Sequence, residues 1–167
     1  MAIPVRATHG IPPVYDGQSR ILLLGSFPST QSRESRFYYA HPRNRFWPLI
    51  ASLLNQSVPA TEQQKIWLLL SYGIALWDVI ASCTIAGSSD SSIRDVVAND
   101  LSIILNHSRV TSIFTNGTTA HRLYGRYQRE QTRLDDILLP STSPANARMD
   151  LSGLEHAWSV LPDALNG

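Results

Sequence analysis

The sequence predicts an α/β fold with a mostly parallel sheet that carries helices on both faces. Short apolar runs typical of strands buried on both faces recur along the chain, the first being Ile21–Gly25. Segments in which apolar residues follow helical spacing separate these runs. Strands that alternate with helices form parallel sheets through helical crossovers. The length of 167 residues suits one core, so we expect a single domain over residues 1–167.

The first half of the chain is expected to hold two strands and two helices after an extended start. Three prolines within the first 17 residues oppose helix formation there. The capping-box pattern from Thr61 to Gln64 opens the second helix, and Gly73 ends it. In order, we predict an extended lead-in over residues 1–17, a strand over 21–25, helices over 46–54 and 61–70, and a strand over 74–80.

The second half is expected to hold three helices and two strands. Ser92 and Asp95 are candidate caps for a helix whose apolar face would include Ile93, Val96 and Leu101. The remaining elements are predicted as a strand over residues 112–115, a helix over 118–127, a strand over 136–139 and a closing helix over 150–161.

The loop after the first strand carries the clearest functional signal. From Gly25 to Ile50 the chain reads GSFPSTQSRESRFYYAHPRNRFWPLI, with four arginines, an aromatic run and a single acidic residue, Glu34. Loops at the carboxyl ends of parallel strands hold the binding sites of open α/β sheets. Arginines beside aromatic residues suit a ligand with phosphates and flat rings. This loop therefore indicates a nucleic-acid ligand.

Two segments of this loop resemble a known family. GSFPSTQS and YYAHPRNRFW, together with LPSTSPAN at residues 139–146, are similar to the active-site motifs of the uracil-DNA glycosylase superfamily, in its branch of DNA-deoxyinosine (hypoxanthine-DNA) glycosylases. The resemblance covers about residues 10–148. It implies a three-layer sandwich with four central strands. It also implies an enzyme that hydrolyses the N-glycosidic bond of deaminated bases in DNA, chiefly hypoxanthine and secondarily uracil, and leaves an abasic site.

The resemblance points to Asn44 and His41 as catalytic residues. Many branches place a polar catalytic residue at the position of Phe27, whose ring cannot polarise water. Asn44 takes that role instead, because its amide can accept from water and donate to the base. Alternatively, or in addition, Asn44 caps the helix that follows it. His41 is a candidate helper, although a histidine before proline in a loop is more often structural.

Phe27, Tyr39 and Asn116 are expected to bind the base. Tyr39 matches an aromatic residue that stacks on the extruded base in related branches; otherwise it would be ordinary core. Asn116 offers a donor and an acceptor to a base edge, or it simply forms an Asn-Gly turn. Asp90 and Ser91 are weaker candidates for contact with the base or sugar, and a role at a helix start is equally open to them.

DNA contacts are expected from both loops. The second loop resembles one that pinches phosphates and enters the minor groove, although Leu139 replaces the histidine that several branches have at its start. Four arginines at helical spacing form a basic stripe that either contacts DNA or is a solvated helix face. The predicted DNA-binding residues are Ser29, Arg43, Ser141, Thr142, Ser143 and Asn146, and the stripe is Arg122, Arg126, Arg129 and Arg133.

Composition narrows the possibilities. Lys65 is the only lysine among 14 basic residues, which suits phosphate binding but also fits a genome-wide bias toward arginine. The single cysteine, Cys83, excludes a disulfide within the chain and a four-cysteine iron–sulfur cluster. We expect no metal and no cofactor. Without an apolar run that could span a bilayer or a signal core, we expect a cytoplasmic monomer.

We therefore predict a monofunctional DNA glycosylase whose partner is DNA containing deaminated bases. No motif places a lysine as a Schiff-base nucleophile, so lyase activity is not expected. The main alternative is a non-catalytic binder of damaged or single-stranded DNA, which Phe27 and Leu139 make credible. A serine hydrolase built on Ser26 or Ser29 is disfavoured because the chain has no G-x-S-x-G elbow.

Overall fold

Seven strands and eight helices make up the part of the chain that the computed structural model describes, residues 2–166. The strands are β1 (Val5–Thr8), β2 (Ile21–Gly25), β3 (Ile74–Asp78), β4 (Ile80–Ile85), β5 (Arg94–Ala98), β6 (Ser112–Asn116) and β7 (Asp136–Leu139). The helices are α1 (Thr30–Ser35), α2 (Phe46–Leu53), α3 (Glu62–Ser71), α4 (Ser102–Leu105), α5 (Thr118–Tyr127), α6 (Arg129–Thr132), α7 (Leu151–Ala157) and α8 (Val160–Leu165). No helix among these is long and apolar enough to cross a membrane.

The central sheet has four parallel strands in the order β3-β2-β6-β7, which confirms the predicted fold class. All five residues of β2 and of β3 are buried, as expected for strands that are covered on both faces. The register places Gly25 beside Asp78 and Asn116 beside Leu139. The carboxyl ends of the four strands thus meet at one edge of the sheet.

The strand order reverses between β2 and β6. From β2 the chain moves outward to β3 through α1, α2 and α3, whereas from β6 it moves in the opposite direction to β7 through α5 and α6. Because parallel crossovers are right-handed, these two groups of helices cover opposite faces of the sheet. The reversal opens a crevice beyond Gly25 and Asn116, where open α/β sheets bind their ligands.

A second, antiparallel sheet of order β1-β4-β5 corrects two predictions and adds a strand to the extended lead-in. The strand predicted over residues 74–80 ends at Asp78, and the chain enters the second sheet at Ile80. The lead-in predicted as extended contains β1, which pairs with β4. The helix predicted from Ser92 is wrong, since Arg94–Ala98 forms β5 and only Ser102–Leu105 is helical. Apolar residues here fit either period, and pairing with β4 decided between them.

Three of the predicted helices are present at the expected positions. The predicted helices over residues 46–54, 61–70 and 118–127 are α2, α3 and α5, and α3 has the expected capping box of Thr61 with Gln64. The predicted closing helix is wrong in its length, because α7 ends at Ala157 and α8 begins at Val160. Between them, the fully buried Trp158 donates its indole N–H to the carbonyl of Pro140, 2.9 Å away.

Candidate active site

An open cavity of about 1090 Å³ lies at the carboxyl edge of the central sheet. Its walls come from the loop after β2, the loop after β4, the start of α5 and the loop after β7. The two loops that the sequence singled out therefore face each other across one cavity. Ten of the eleven residues predicted as catalytic, base-binding or DNA-binding line it, namely Phe27, Ser29, Tyr39, His41, Asn44, Asn116, Ser141, Thr142, Ser143 and Asn146.

Asn44 has both oxygen lone pairs occupied. Its Oδ1 accepts from the backbone N–H of Phe46 at 2.9 Å and from the Thr142 hydroxyl at 2.9 Å. The first bond is an Asx turn just before α2, whose N-cap is Arg45 without a side-chain capping bond, so Asn44 precedes the helix by one residue more than the predicted cap would. A carbonyl oxygen that already accepts two hydrogen bonds has no site left for water. The Nδ2 amide group of Asn44 is what remains to act on a ligand.

Thr142 joins Asn44 to Asn116. The Asn116 Nδ2 group donates to Thr142 Oγ1 at 3.1 Å, and Asn116 Oδ1 accepts from Thr142 N at 3.0 Å. Thr142 is fully buried, which corrects the expectation that its own side chain touches DNA. Gly117, the N-cap of α5, has φ 98°, a conformation that favours glycine, but Asn116 itself is the last residue of β6 and not part of a turn.

Tyr39 extends this polar chain across the floor of the cavity. Its hydroxyl accepts from Asn116 Nδ2 at 3.2 Å, and its ring stacks on Phe46 with centroids 4.0 Å apart and planes 17° apart. Burial raises the pKa of the Tyr39 hydroxyl, and the Asp78 carboxylate raises it further. The hydroxyl thus keeps its proton and can donate it. Since Phe46 covers one face of the ring, stacking on a base is left to the other face.

Asp78 and His9 were not singled out by the sequence, yet they meet at this edge. Asp78 is the last residue of β3, and its Oδ2 lies 2.7 Å from Nε2 of His9; both side chains are about 95 % buried. Asp78 lines the cavity. An acidic residue that ends the apolar run Ile-Ala-Leu-Trp was the available signal. His9 had none, because 69 residues separate it from its partner.

Asp90 is the second carboxyl group in the cavity wall. Its Oδ1 accepts from the Ser26 hydroxyl at 3.2 Å. Desolvation by the surrounding wall raises the pKa of Asp90, an effect that hydrogen bonds from Ser26 and Thr119 partly offset. Asp90 also opens a 3₁₀ turn over Asp90–Ser92, so the predicted helix-start role is present. The hydroxyl of Ser91 lies 3.0 Å from that of Ser89.

His41 and Phe27 lie on the cavity wall with different surroundings. His41 Nδ1 accepts from the backbone N–H of Arg43 at 3.1 Å, which leaves Nε2 free to carry the proton of a neutral ring. The Phe27 ring is 8 % exposed and lies 5.3 Å from the guanidinium of Arg33. It offers the cavity an apolar surface only.

Arg45 holds the second loop in place, and the sequence did not reveal this. Its guanidinium donates to the carbonyl oxygens of Ser143 and Asn146, each at 2.9 Å, and to that of Met149. Its backbone N–H donates to the Thr142 carbonyl at 3.1 Å. A single side chain from the first loop thus fixes three points of the second.

Several residues predicted to contact DNA use their side chains for hydrogen bonds within their own loops. Ser141 Oγ accepts from Ser143 N, and Asn146 Nδ2 donates to the Ser141 carbonyl. Ser29 is the N-cap of α1, accepting from Ser32 N at 3.2 Å. Arg43, in contrast, is exposed and does not line the cavity itself, although its neighbours His41 and Asn44 do.

The basic stripe predicted from helical spacing is not continuous, so this prediction is wrong. Helix α5 ends at Tyr127, and Arg133 has a left-handed φ of 59° beyond α6. Arg129 is engaged by Asp136 at 2.7 Å. Among residues 2–166, no group of three or more His, Cys, Asp or Glu side chains is placed to hold a metal ion.

Comparisons with known proteins identify the family. The family model of the uracil DNA glycosylase superfamily matches residues 12–164. A hypoxanthine DNA glycosylase from Methanosarcina barkeri is 36 % identical over 156 residues, 90 % of this chain and 95 % of the relative. A hypoxanthine DNA glycosylase from Methanosarcina acetivorans is 32 % identical over 157 residues, which are 92 % of this chain and 96 % of the relative.

The fold comparison agrees with the sequence comparisons. The solution NMR structure of a candidate uracil DNA glycosylase from Methanosarcina acetivorans superposes with a TM-score of 0.78 and 31 % identity. The match covers 95 % of this chain and 99 % of that one. Both the sequence motifs and the arrangement of the strands around the cavity are therefore those of one family, and this chain belongs to the uracil DNA glycosylase superfamily.

Proposed function

We propose that the protein is a DNA glycosylase of base-excision repair that removes deaminated bases, chiefly hypoxanthine and secondarily uracil, and leaves an abasic site. The observation that carries the proposal is the polar chain from Asn44 through Thr142 and Asn116 to Tyr39, which lines the cavity at the switch point of the sheet. Two relatives that span nearly the whole chain are named hypoxanthine DNA glycosylases.

The proposed reaction needs the base outside the DNA stack. Breaking the C1′–N bond leaves a sugar with oxocarbenium character and a base that gathers negative charge; a water molecule then adds to C1′ to give the abasic sugar, and the proton it releases neutralises the departed base. The free Nδ2 amide of Asn44 is suited to donate to that base. Its oxygen, already satisfied by Phe46 and Thr142, fixes the orientation of the amide before the substrate arrives.

Water activation by Asn44 is not part of this mechanism. Both lone pairs of its oxygen are used, and Phe27 cannot polarise water. The rate therefore arises mainly from stabilising the departing base and from holding sugar and base in a fixed geometry. The ring of Phe27 provides an apolar wall for a flat base, and the Tyr39 hydroxyl is left to donate to the edge of that base.

The DNA backbone is expected to follow the rim of the cavity. Arg43 and Arg148 are exposed there, beside the first and second loops. The second loop, braced by Arg45, presents its backbone and the exposed Pro144 and Ala145 to the groove. We further propose that the protein acts as a monomer and that the reaction needs neither a metal nor a cofactor.

Cleavage of defined oligonucleotides tests the proposal. Duplexes carrying a single deoxyinosine, deoxyuridine or deoxyxanthosine are incubated with the protein in EDTA and then treated with alkali. We expect strand breaks after alkali only, greatest for deoxyinosine. Breaks without alkali would contradict monofunctional action. Binding to deoxyinosine DNA without any release of base would instead support the non-catalytic binder.

A further inference from the structure

The His9–Asp78 pair is a buried ionisable pair in the cavity wall that the proposed chemistry leaves unused. Three aromatic rings surround His9, those of Phe27, Tyr38 and Trp77, with centroids 6.0–6.5 Å away. Burying a carboxylate among aromatic rings is costly, and a hydrophobic pair of the same volume would stabilise a core as well or better. Such a pair at a ligand cavity is a candidate for function.

The hydrogen bonds of His9 define which atoms of the pair are free. Its Nδ1 accepts from the backbone N–H of Ile11 at 3.2 Å, so a neutral ring carries its proton on Nε2. That proton is donated to Asp78 Oδ2 at 2.7 Å. Asp78 Oδ1 has no hydrogen-bond partner within residues 2–166. His9 thus fixes the carboxylate with one oxygen occupied and the other available.

The free oxygen lies beside the Tyr39 hydroxyl, above the end of β2. A methyl group on Gly25 would collide with Asp78 Oδ1 and would lie 2.9 Å from Tyr39 Oη. Asp78 Oδ1 and Tyr39 Oη therefore both lie close to Gly25, where a side chain is absent. Tyr39 Oη already accepts from Asn116, so its own proton points elsewhere. The floor of the cavity presents an acceptor and a donor side by side.

Deamination creates the pattern that complements this pair. Hypoxanthine and uracil carry a ring N–H next to a carbonyl oxygen, whereas adenine and cytosine carry an unprotonated ring nitrogen next to an amino group. A carboxylate can accept from the ring N–H, and a tyrosine hydroxyl can donate to the carbonyl. Against adenine or cytosine, in the same pose, acceptor would meet acceptor and donor would meet donor, which is strongly disfavoured.

We propose that Asp78, oriented by His9, reads the ring N–H of the deaminated base while Tyr39 donates to the adjacent carbonyl, and that this pair discriminates hypoxanthine and uracil from adenine and cytosine. This rests on the proposed function, because it identifies how that cavity distinguishes its substrate. Asp78 contacts the base, whereas His9 is a positioning residue that acts through Asp78.

Binding to non-cleavable DNA tests the proposal separately from turnover. Duplexes carry 2′-fluoro-deoxyinosine or 2′-fluoro-deoxyadenosine at one position, and Kd is measured by fluorescence anisotropy. The wild type should prefer the inosine duplex, and Asp78→Asn should reduce that preference about tenfold or more. An unchanged preference in Asp78→Asn would overturn the proposal. A protein that binds but never cleaves would refute the proposed function while leaving this comparison valid.

Conservative replacement of His9 separates positioning from packing. His9→Gln keeps an N–H donor, whereas His9→Phe fills the same aromatic space without one. We expect His9→Phe to weaken the preference severalfold and His9→Gln to retain most of it. Equal loss in both, accompanied by equal loss of thermal stability, would show that His9 only packs. His121→Phe is the matched control, since His121 pairs with Asp136 at 2.6 Å outside the cavity.

A third binding measurement uses the wild-type protein alone, so it does not depend on the folding of any variant. Duplexes carrying the 2′-fluoro nucleoside of unsubstituted purine lack both the ring N–H and the carbonyl. These should bind about tenfold more weakly than the inosine duplexes. Equal affinity of the wild type for both would overturn the proposal whatever the variants do.

Discussion

Asn44 can offer a ligand only the Nδ2 group of its amide, because its Oδ1 is already hydrogen-bonded. Variants of Asn44 should therefore differ according to whether they keep a donor at this position. The oxygen is held by Phe46 N and the Thr142 hydroxyl, while the nitrogen remains available. The chemistry of this residue can therefore be separated from its structural role by exchanging one atom type. Asparagine and aspartate have the same shape, but aspartate has a charged oxygen where asparagine has its NH₂ donor.

Asn44→Asp should fold normally and lose most of its activity. A carboxylate can accept both existing hydrogen bonds, so its melting temperature should remain near that of the wild type. It cannot donate, and it repels the negative charge that develops on the base, so the single-turnover rate on deoxyinosine DNA should fall about 100- to 1000-fold. Asn44→Ala is the control, with a similar rate loss and a stability loss of about 1 kcal/mol. A wild-type rate in Asn44→Asp would reject the donor role.

The sequence could identify site residues that follow strands directly, but not those whose roles depend on partners far away along the chain. Asn44, Tyr39 and Asn116 stand in loops after strands, and the carboxyl ends of parallel strands bring such loops together whatever the details. Arg45 and His9 act through partners about 70 to 100 residues away, whose positions depend on register and loop path. The arginine spacing that predicted a stripe ignored Asp136, which engages Arg129.

At the scale of elements, the active site consists of two loops joined by side chains rather than by a continuous secondary structure. Arg45 stands one residue before α2 and donates to three carbonyls of the loop after β7. That geometry needs a planar group with several N–H donors, which lysine cannot supply.

Arg45→Lys should loosen the second loop while sparing the rest of the fold. We expect faster amide hydrogen exchange across residues 141–149 and a severalfold weaker affinity for deoxyinosine DNA, because the free loop must be ordered on binding. Exchange in β2 and β6 should stay unchanged. Arg43→Lys is the matched control, since Arg43 is exposed and its side chain makes no comparable bond within the described chain. Unaltered exchange in the second loop would contradict the bracing role.

A second element-level device fastens β7 to β6 and α5. Asp136 Oδ2 accepts from Thr115 Oγ1 and from His121 Nδ1, both at 2.6 Å, and Oδ1 accepts from Arg129 at 2.7 Å. Burial on its own would raise the pKa of Asp136, but these hydrogen bonds outweigh it and hold the pKa below its usual value. The carboxylate therefore stabilises the fold above the unfolded pKa of about 4, and this contribution is lost as pH falls through the lower folded pKa.

Asp136→Asn should lower the melting temperature most at neutral pH. Removing the charge from a buried, paired site costs about 3 kcal/mol, which corresponds to a decrease on the order of 10 °C for a protein of this size. The difference from the wild type should begin to shrink as pH falls below the unfolded pKa of about 4, and it should vanish only below the lowered folded pKa, where the wild-type carboxyl also loses its charge. Thermal melts of both proteins at pH 7, 5 and 3 measure this. A difference that stays constant with pH would mean that the carboxylate charge is not what stabilises β7.

For the whole molecule, the parallel sheet could be predicted and the antiparallel one could not. Strands β2, β6 and β7 are apolar runs bounded by turns, and their order follows from alternation with helices. The sheet β1-β4-β5 is short and half exposed, and Arg94–Ala98 shows no strict alternation. Pairing with β4, across two register shifts, makes it a strand. This small sheet also places His9 beside Asp78, because Thr8 pairs with Ser82 of β4 and β4 follows directly after β3.

Charge is distributed so that a net value of +1 conceals a local positive rim. Arg43 and Arg148 stand at the carboxyl edge of the sheet beside the cavity, whereas Arg109 lies near its amino edge, where its backbone N–H donates to the Ser19 carbonyl. DNA that enters the cavity can approach the first two but not the third. Affinity for duplex DNA should therefore fall with salt through a few phosphate contacts only.

Arg43→Ala and Arg148→Ala should each reduce the salt dependence of DNA binding, and Arg109→Ala should not. Each phosphate contact contributes a slope of about −0.9 in log K against log salt concentration, so each rim variant should lose about one unit of slope. Kd for a deoxyinosine duplex, measured at several salt concentrations, gives the slopes directly. The matched arginine at the opposite edge separates a local contact from a general loss of charge, because all three variants change the net charge equally. Equal slopes for all three variants would place the DNA elsewhere on the surface, away from the cavity rim.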